Sequence, residues 1–267
     1  GPDPADATSA SVPVSDYAGS LTGDVRGARI GVPSSMLENG VDPDVLRAFR
    51  AALEVLAGRG VTLVDIELPH ARHAIATYYL IATAEASSNL ARYDGVRYGY
   101  RAPERPAAAG NHGESLRMMY ARTREQGFGP EVKRRIMLGT YVLSAGYYDE
   151  YYLKAQQVRT LILSDYDTAF KGVDAVAMPT SPTAAFKIGE RADNPLQMYL
   201  IDVFTVSANL AGLPAISVPC GFTADRLPVG LQLTGRRFDE TTLLRIADAY
   251  EREAPWHREA PPCSPDV

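Results

Sequence analysis

The sequence has 267 residues, 46% of them hydrophobic and 22% charged, which is enough apolar material for a sizeable globular core. Its formal net charge of −5 argues against a dominant nucleic-acid footprint, while leaving room for RNA reached through a partner protein. Cys220 and Cys263 lie far apart and no stretch reaches membrane-span length without polar interruption, so a disulfide framework is excluded and a cytoplasmic setting is expected.

Residues 1–24 read as a polar connector. There is no initiator Met and no basic-then-apolar leader, so the chain is expected to begin inside something longer. Ala28–Val32 is a short strand candidate closed by Pro33. Asp42 then caps a helix with Pro43 in its first position, and Val45, Phe49, Ala52, Leu53 and Leu56 form one apolar face. Gly60 ends that helix, and Val61–Leu68 alternates as a strand. Strand, helix and strand at this spacing predict an α/β unit with a parallel pair. No glycine fingerprint follows Val32, so a dinucleotide site is not supported.

Helices are predicted over Ala74–Arg92, over Glu114–Glu125, from Pro130, and from about Asp149 to Phe170. Ala102–Gly113 has loop composition. Val173–Met178 and Val229–Leu233 read as strands. Asp239 caps the last helix, with Phe238 and Leu243 placed for a hydrophobic staple, and the tail from Pro255 is expected to be loose. The resulting fold class is α/β, a mixed sheet flanked by helices. Its boundaries are drawn as 1–24 connector, 25–254 core and 255–267 tail.

Between Asn194 and Ala224 the one charged residue is Asp202. The first part of this stretch predicts a helix from Pro195 to Leu210, stopped by Gly212 and Pro214, and Ala215–Val218 predicts a buried strand. A carboxylate in such a segment is costly unless it is paired. Asp202 is therefore either a structural ion-pair partner or a carboxylate waiting for a cationic ligand group. Lys133 and Arg134 read as a solvated helix face, whereas Arg135 precedes the apolar run Ile136-Met-Leu and suits bidentate capture of a carboxylate. Together an Arg and an Asp would read a free α-amino acid, although sequence does not show that they converge.

Other signals are thin. Neither a G-x-S-x-G elbow nor a phosphate-cradling loop nor H-E-x-x-H is present. His70, His73, His112 and His257 have no metal-ligand spacing, and no metal is expected. Ser87-Ser88 has no visible base beside it. Tyr147, Tyr148, Tyr151 and Tyr152 read as packing residues.

Several blocks carry a resemblance. They are Asp3-Pro-x-Asp-Ala-Thr-Ser9, Glu85-Ala-Ser-Ser-Asn to Tyr100, Gly127-Phe-Gly to Thr140, Ser144-Ala-Gly-Tyr-Tyr-Asp149, Pro179-Thr-Ser-Pro-Thr183, and Asn209-Leu-Ala-Gly-Leu-Pro to Gly221. In these the chain resembles the A subunits of glutamyl-tRNA(Gln) amidotransferases, within the amidase-signature family. The resemblance implies a glutamine-hydrolysing protein that passes ammonia to a B subunit, which uses ATP to convert Glu-tRNA(Gln) to Gln-tRNA(Gln), with a small C subunit holding the two together. It implies that Tyr78, Arg135 and Asp202 line the glutamine site and that no cofactor is bound by this chain.

The resemblance begins where the second half of that family begins. The Ser-Ser-Lys signature is not found in the chain, so a missing N-terminal half is expected to supply catalysis and the chain alone to be inactive. Two other readings remain at this point, the C-terminal half of another amidase-signature hydrolase and a non-catalytic interaction module.

Overall fold

The computed structural model describes residues 1–103, 115–190 and 195–260, the side chains of 195–197 apart. Most of the Ala102–Gly113 loop, His112 and Cys263 lie outside the described residues. The chain divides into two compact units, one made of Gly1–Ile75 and Arg159–Val267, the other of Ala76–Val158.

The first unit is built on a five-stranded mixed sheet. Its strands are β1 (Arg29–Val32), β2 (Thr62–Asp65), β3 (Ala175–Pro179), β4 (Ala215–Phe222) and β5 (Pro228–Gly235), in the order β2-β1-β3-β5-β4. β1 pairs in parallel with both β2 and β3, and β5 runs antiparallel to β3 and β4. Helix α1 (Pro43–Gly58) makes the β1-to-β2 crossover. Its start is fixed locally, as the Asp42 side chain accepts the Asp44 amide at 2.8 Å and Pro43 has no amide to satisfy. Gly60 turns the chain into β2 at φ 88°, a conformation costly for any residue with a Cβ.

The apolar face of α1 buries Val45, Phe49, Ala52 and Leu56 against the sheet, beside α8 (Glu240–Glu253). Along β5 the side chains alternate. Val229, Leu231 and Leu233 share one face, while Gln232 turns to the other and donates to the Phe204 carbonyl at 2.9 Å. That second face is covered by the stretch around α7 (Val206–Ala211).

Four sequence expectations are corrected here. The helix predicted over Pro195–Leu210 is two pieces, α6 (Pro195–Leu200) and α7, separated by tight turns at residues 201–205. There the amides of Thr205 and Val206 both fold back onto the Asp202 carbonyl at 3.0 Å, sending the chain in a new direction. The strand after it is longer than expected and lies at a sheet edge, with Ala215 and Ser217 exposed and a bulge at Pro219–Gly221. Phe238 sits at φ 60° with 58% of its surface exposed, too little burial for the staple, although the Asp239 cap on Thr242 is made. The first residues of the tail are anchored, since the Trp256 ring packs edge-on against Phe222 at 5.8 Å.

The second unit is helical. It holds most of α2 (Ala74–Leu90), with α3 (Leu116–Gly127), α4 (Pro130–Val142) and the start of α5 (Lys154–Ala169). The helix predicted from Asp149 opens as a π-helical turn, Tyr148–Leu153, before regular α5. α2 and α4 approach closely at Gly139, where a Cβ would overlap the Thr83 carbonyl. Of the four tyrosines expected to pack, Tyr147 and Tyr148 are at the surface while Tyr151 and Tyr152 are half-buried. Tyr141, Tyr147 and Tyr148 are 50%, 39% and 45% exposed, and the rings of Tyr141, Tyr147 and Tyr151 lean on one another instead of on a core.

Candidate functional site

Two of the three predicted site residues come together in the helical unit. Pro130 starts α4, so Glu131 falls in the first turn, where the helix dipole favours a carboxylate. Arg134 and Arg135 stand three and four positions on, within reach on the same side. Glu131 accepts from Arg134 Nε and Nη2 at 2.8 and 2.9 Å and from Arg135 Nε at 2.8 Å. The two guanidinium groups, that of Arg134 first, hold its carboxyl down to about 2.

Exposure scarcely separates the two arginines, whose side chains are 40% and 36% accessible. What distinguishes Arg135 is its reach across to α2, where Nη1 donates to the Tyr78 hydroxyl over a long 3.5 Å. The Glu131 contact, and then the Tyr78 hydroxyl, raise the pKa of Arg135 against the opposing effect of burial. Tyr78 itself is half-buried and steadied edge-on by Tyr79 at 5.1 Å. A guanidinium has five N–H donors, so one bound to Glu131 and one to Tyr78 leave others for a ligand carboxylate.

Asp202 belongs to the other unit. The expectation that it is buried is wrong, because the turn at residues 201–205 exposes it and gives the interior positions to Phe204, Val206 and Ser207. A solvated carboxylate bears no desolvation penalty, so burial no longer demands a partner for it. Its surroundings are nevertheless concave. A cleft of about 580 Å³ is lined by Met36, Asn39, Thr183, Ile201 and Phe204, and a second of about 510 Å³ by Thr180, Ser181, Thr183, Ile201 and Ser217. Both include Ile201, the residue before Asp202. Their walls follow from topology. The segments leaving β1 and β3 emerge at the same end of the sheet and are tied by the Asp42 amide to the Pro182 carbonyl at 2.8 Å. β1 sits between its sequence neighbour β2 and the later β3, the kind of switch point at which open α/β sheets form ligand crevices.

The amidase family model matches residues 1–244. The chain belongs to the amidase family. Within it, the glutamyl-tRNA(Gln) amidotransferase A subunit from Myxococcus xanthus (strain DK1622) is 59% identical over 98% of this chain and 52% of its own length. The protein of the same name from Chloroflexus aggregans (strain MD-66 / DSM 9485) is 58% identical over 98% of this chain and 51% of its own. The chain thus spans about half the length of the curated relatives it matches. Among solved structures, the glutamyl-tRNA(Gln) amidotransferase A subunit from Thermotoga maritima superposes with a TM-score of 0.72 at 40% identity, over 96% of this chain and 49% of that one. A 6-aminohexanoate cyclic dimer hydrolase, 21% identical with a TM-score of 0.72, shares the fold.

The remaining candidates of this amidase chain differ in their surroundings. Ser87 Oγ lies 3.0 Å from Thr140 Oγ1, whose hydroxyl donates to the Ile136 carbonyl, which makes it a helix-packing contact. Ser88 is exposed. The Ser181 hydroxyl oxygen is buried without a hydrogen-bond partner in the wall of the second cleft. His70 is more than a surface residue, since both its amide and its Nδ1 meet the Asp165 carboxylate at 2.8 Å. His73 accepts Arg72 Nε at 3.1 Å. Among the described residues no three His, Cys, Asp or Glu side chains cluster as a metal site, and no helix is long and apolar enough to cross a membrane. The His70–Asp165 pair and the two clefts are invisible in the sequence because they join residues far apart in the chain.

Proposed function

We propose that this chain is the glutamine-recognising part of a glutamyl-tRNA(Gln) amidotransferase A subunit, working in the cytoplasm with B and C subunits. In that reading the complete A subunit hydrolyses glutamine, and the B subunit, using ATP, places the ammonia on Glu-tRNA(Gln). Residues 1–267 supply recognition and no cofactor site, and the nucleophile and its activating residues come from outside them. The observation that carries the reading is Arg135, half-buried and oriented by Glu131 and Tyr78 with donors to spare. Arg135 pairs with the glutamine carboxylate, Asp202 with the ammonium, and Tyr78 shapes the side-chain channel. An apolar competitor would leave these polar groups unmatched, which is how such sites discriminate.

The test is Arg135→Ala in the enzyme reassembled with the remaining half of the protein. Loss of a charge-assisted pair should raise the glutamine KM by about ten- to a hundredfold, with kcat changing less. An unchanged KM removes Arg135 from the site.

A further inference from the structure

Charge is unevenly shared between the units. Residues 76–158 hold eleven Lys and Arg against eight Asp and Glu, a net charge of +3 in a chain whose total is −5. Within them, Arg92-Tyr-Asp-Gly-Val-Arg-Tyr-Gly-Tyr-Arg101 alternates guanidinium groups with aromatic rings. Arg92 and Arg97 are exposed, and Tyr93, Val96, Tyr98 and Tyr100 keep 41%, 50%, 48% and 52% of their surface in solvent. Its one carboxylate, Asp94, accepts the Val96 amide at 2.9 Å and so is spent on the turn.

The segment is built, not slack. Gly95 sits at φ 78° and is buried so tightly that a Cβ would come within 2.8 Å of Thr123 and 3.1 Å of the Tyr100 carbonyl. Arg124 donates to the Leu90 and Tyr93 carbonyls at 2.8 and 3.3 Å. The Tyr100 hydroxyl meets Gln126 Oε1 at 2.9 Å, and Ala102 N donates to Thr123 Oγ1 at 3.2 Å. Tyr93 and Tyr98 meet edge-on at 5.5 Å. The backbone turn and the rings of Tyr93, Tyr98 and Tyr100 are thus held in a defined arrangement, so these rings have less side-chain entropy to lose on contact. Tyr and Arg are the residue types that dominate protein–protein hot spots.

We infer that the Arg92–Arg101 segment is a docking surface for a partner protein whose facing surface is acidic around a small apolar centre. An acidic partner is favoured by charge complementarity, since arginines outnumber carboxylates in the segment. A protein is favoured over single-stranded RNA by the edge-on Tyr93–Tyr98 pair, which spends ring surface that base stacking needs, and by Val96 exposed among the rings. The inference rests on the function proposed above, under which the partner is the B subunit of the amidotransferase.

The experiment titrates the cognate B subunit onto the full 267-residue chain and onto Arg92→Glu/Arg97→Glu, Tyr98→Ala and, as control, Arg50→Glu, an exposed arginine of the sheet-bearing unit. Circular dichroism checks that each variant keeps its fold. The loop variants should bind about thirtyfold more weakly, the control should match the parent, and parental binding should weaken with added salt. Loop variants that fold and bind like the parent overturn the docking surface and leave the proposed function standing. Failure of the parent chain to bind overturns the proposed assembly and the docking surface with it. A labelled single-stranded RNA that binds the parent and not the loop variants, while binding of the B protein is unaffected, overturns the protein partner in favour of RNA.

Discussion

Arg135 differs from Arg134 in the contact it makes across to α2. It is nearly as exposed as Arg134 and shares the same carboxylate, yet it alone of the two reaches the Tyr78 hydroxyl. That contact fixes one end of a flexible side chain and so lowers the ordering cost of binding a carboxylate. At 3.5 Å it is a weak hydrogen bond, so Tyr78→Phe, which keeps the ring and drops the oxygen, should raise the glutamine KM of the reassembled enzyme only about two- to fivefold. Steady-state kinetics check this, and a loss as large as that expected for Arg135→Ala would mean that the hydroxyl touches the substrate directly. The sequence argument for Arg135, a cation ahead of the apolar run Ile136-Met-Leu, does not carry over to the structure, where Met137 and Leu138 are largely exposed, and its reach to Tyr78 joins two helices that no local pattern links. The buried setting inferred for Asp202 fails for a related reason, because an apolar neighbourhood in sequence says nothing about which side of a turn faces water.

Elements whose ends are determined by local chemistry were legible almost to the residue. Asp42-Pro43 and Asp239 start α1 and α8 through side chains that meet their own next turn, and the prolines at 33 and 130 act on their own backbone. Elements governed by distant contacts were not. α6 and α7 part because Phe204 is drawn under β5, where the Gln232 amide donates to its carbonyl. No periodicity encodes that contact. Gly139 is a similar case, since only the approach of α2 explains it. Gly139→Ala should destabilise the helical unit by about 1–3 kcal/mol through overpacking, and urea titration followed at 222 nm will measure it. Gly58→Ala makes the same chemical change at the end of α1, with nothing within 4 Å of the added methyl, and should be neutral or slightly stabilising. Opposite outcomes for one substitution type would locate the effect in packing, and equal losses would refute it.

At the scale of the molecule, the proposed function assigns the holding of glutamine and its cleavage to different parts of the A subunit. Acyl transfer needs a nucleophile, a base to activate it and donors for the developing oxyanion. Of the two serines weighed as nucleophiles in the sequence, Ser87 is engaged with Thr140 and Ser88 is exposed, and the oxygen of a third, Ser181, is enclosed in a cleft wall. The purified 267-residue chain should therefore release no ammonia from glutamine above the uncatalysed rate. Under the proposed function, adding the remaining half of the A subunit should restore release, because recognition and bond cleavage would then be contributed by different parts of it. A coupled ammonia assay with both preparations decides the matter. Ammonia release by the chain alone at an enzymatic rate would place the nucleophile within these residues, and Ser181, on a cleft adjoining the Asp202 turn, would be the first to replace. No recovery on adding the other half, with both parts folded, would leave recognition without catalysis and favour a non-catalytic role for this member of the amidase family.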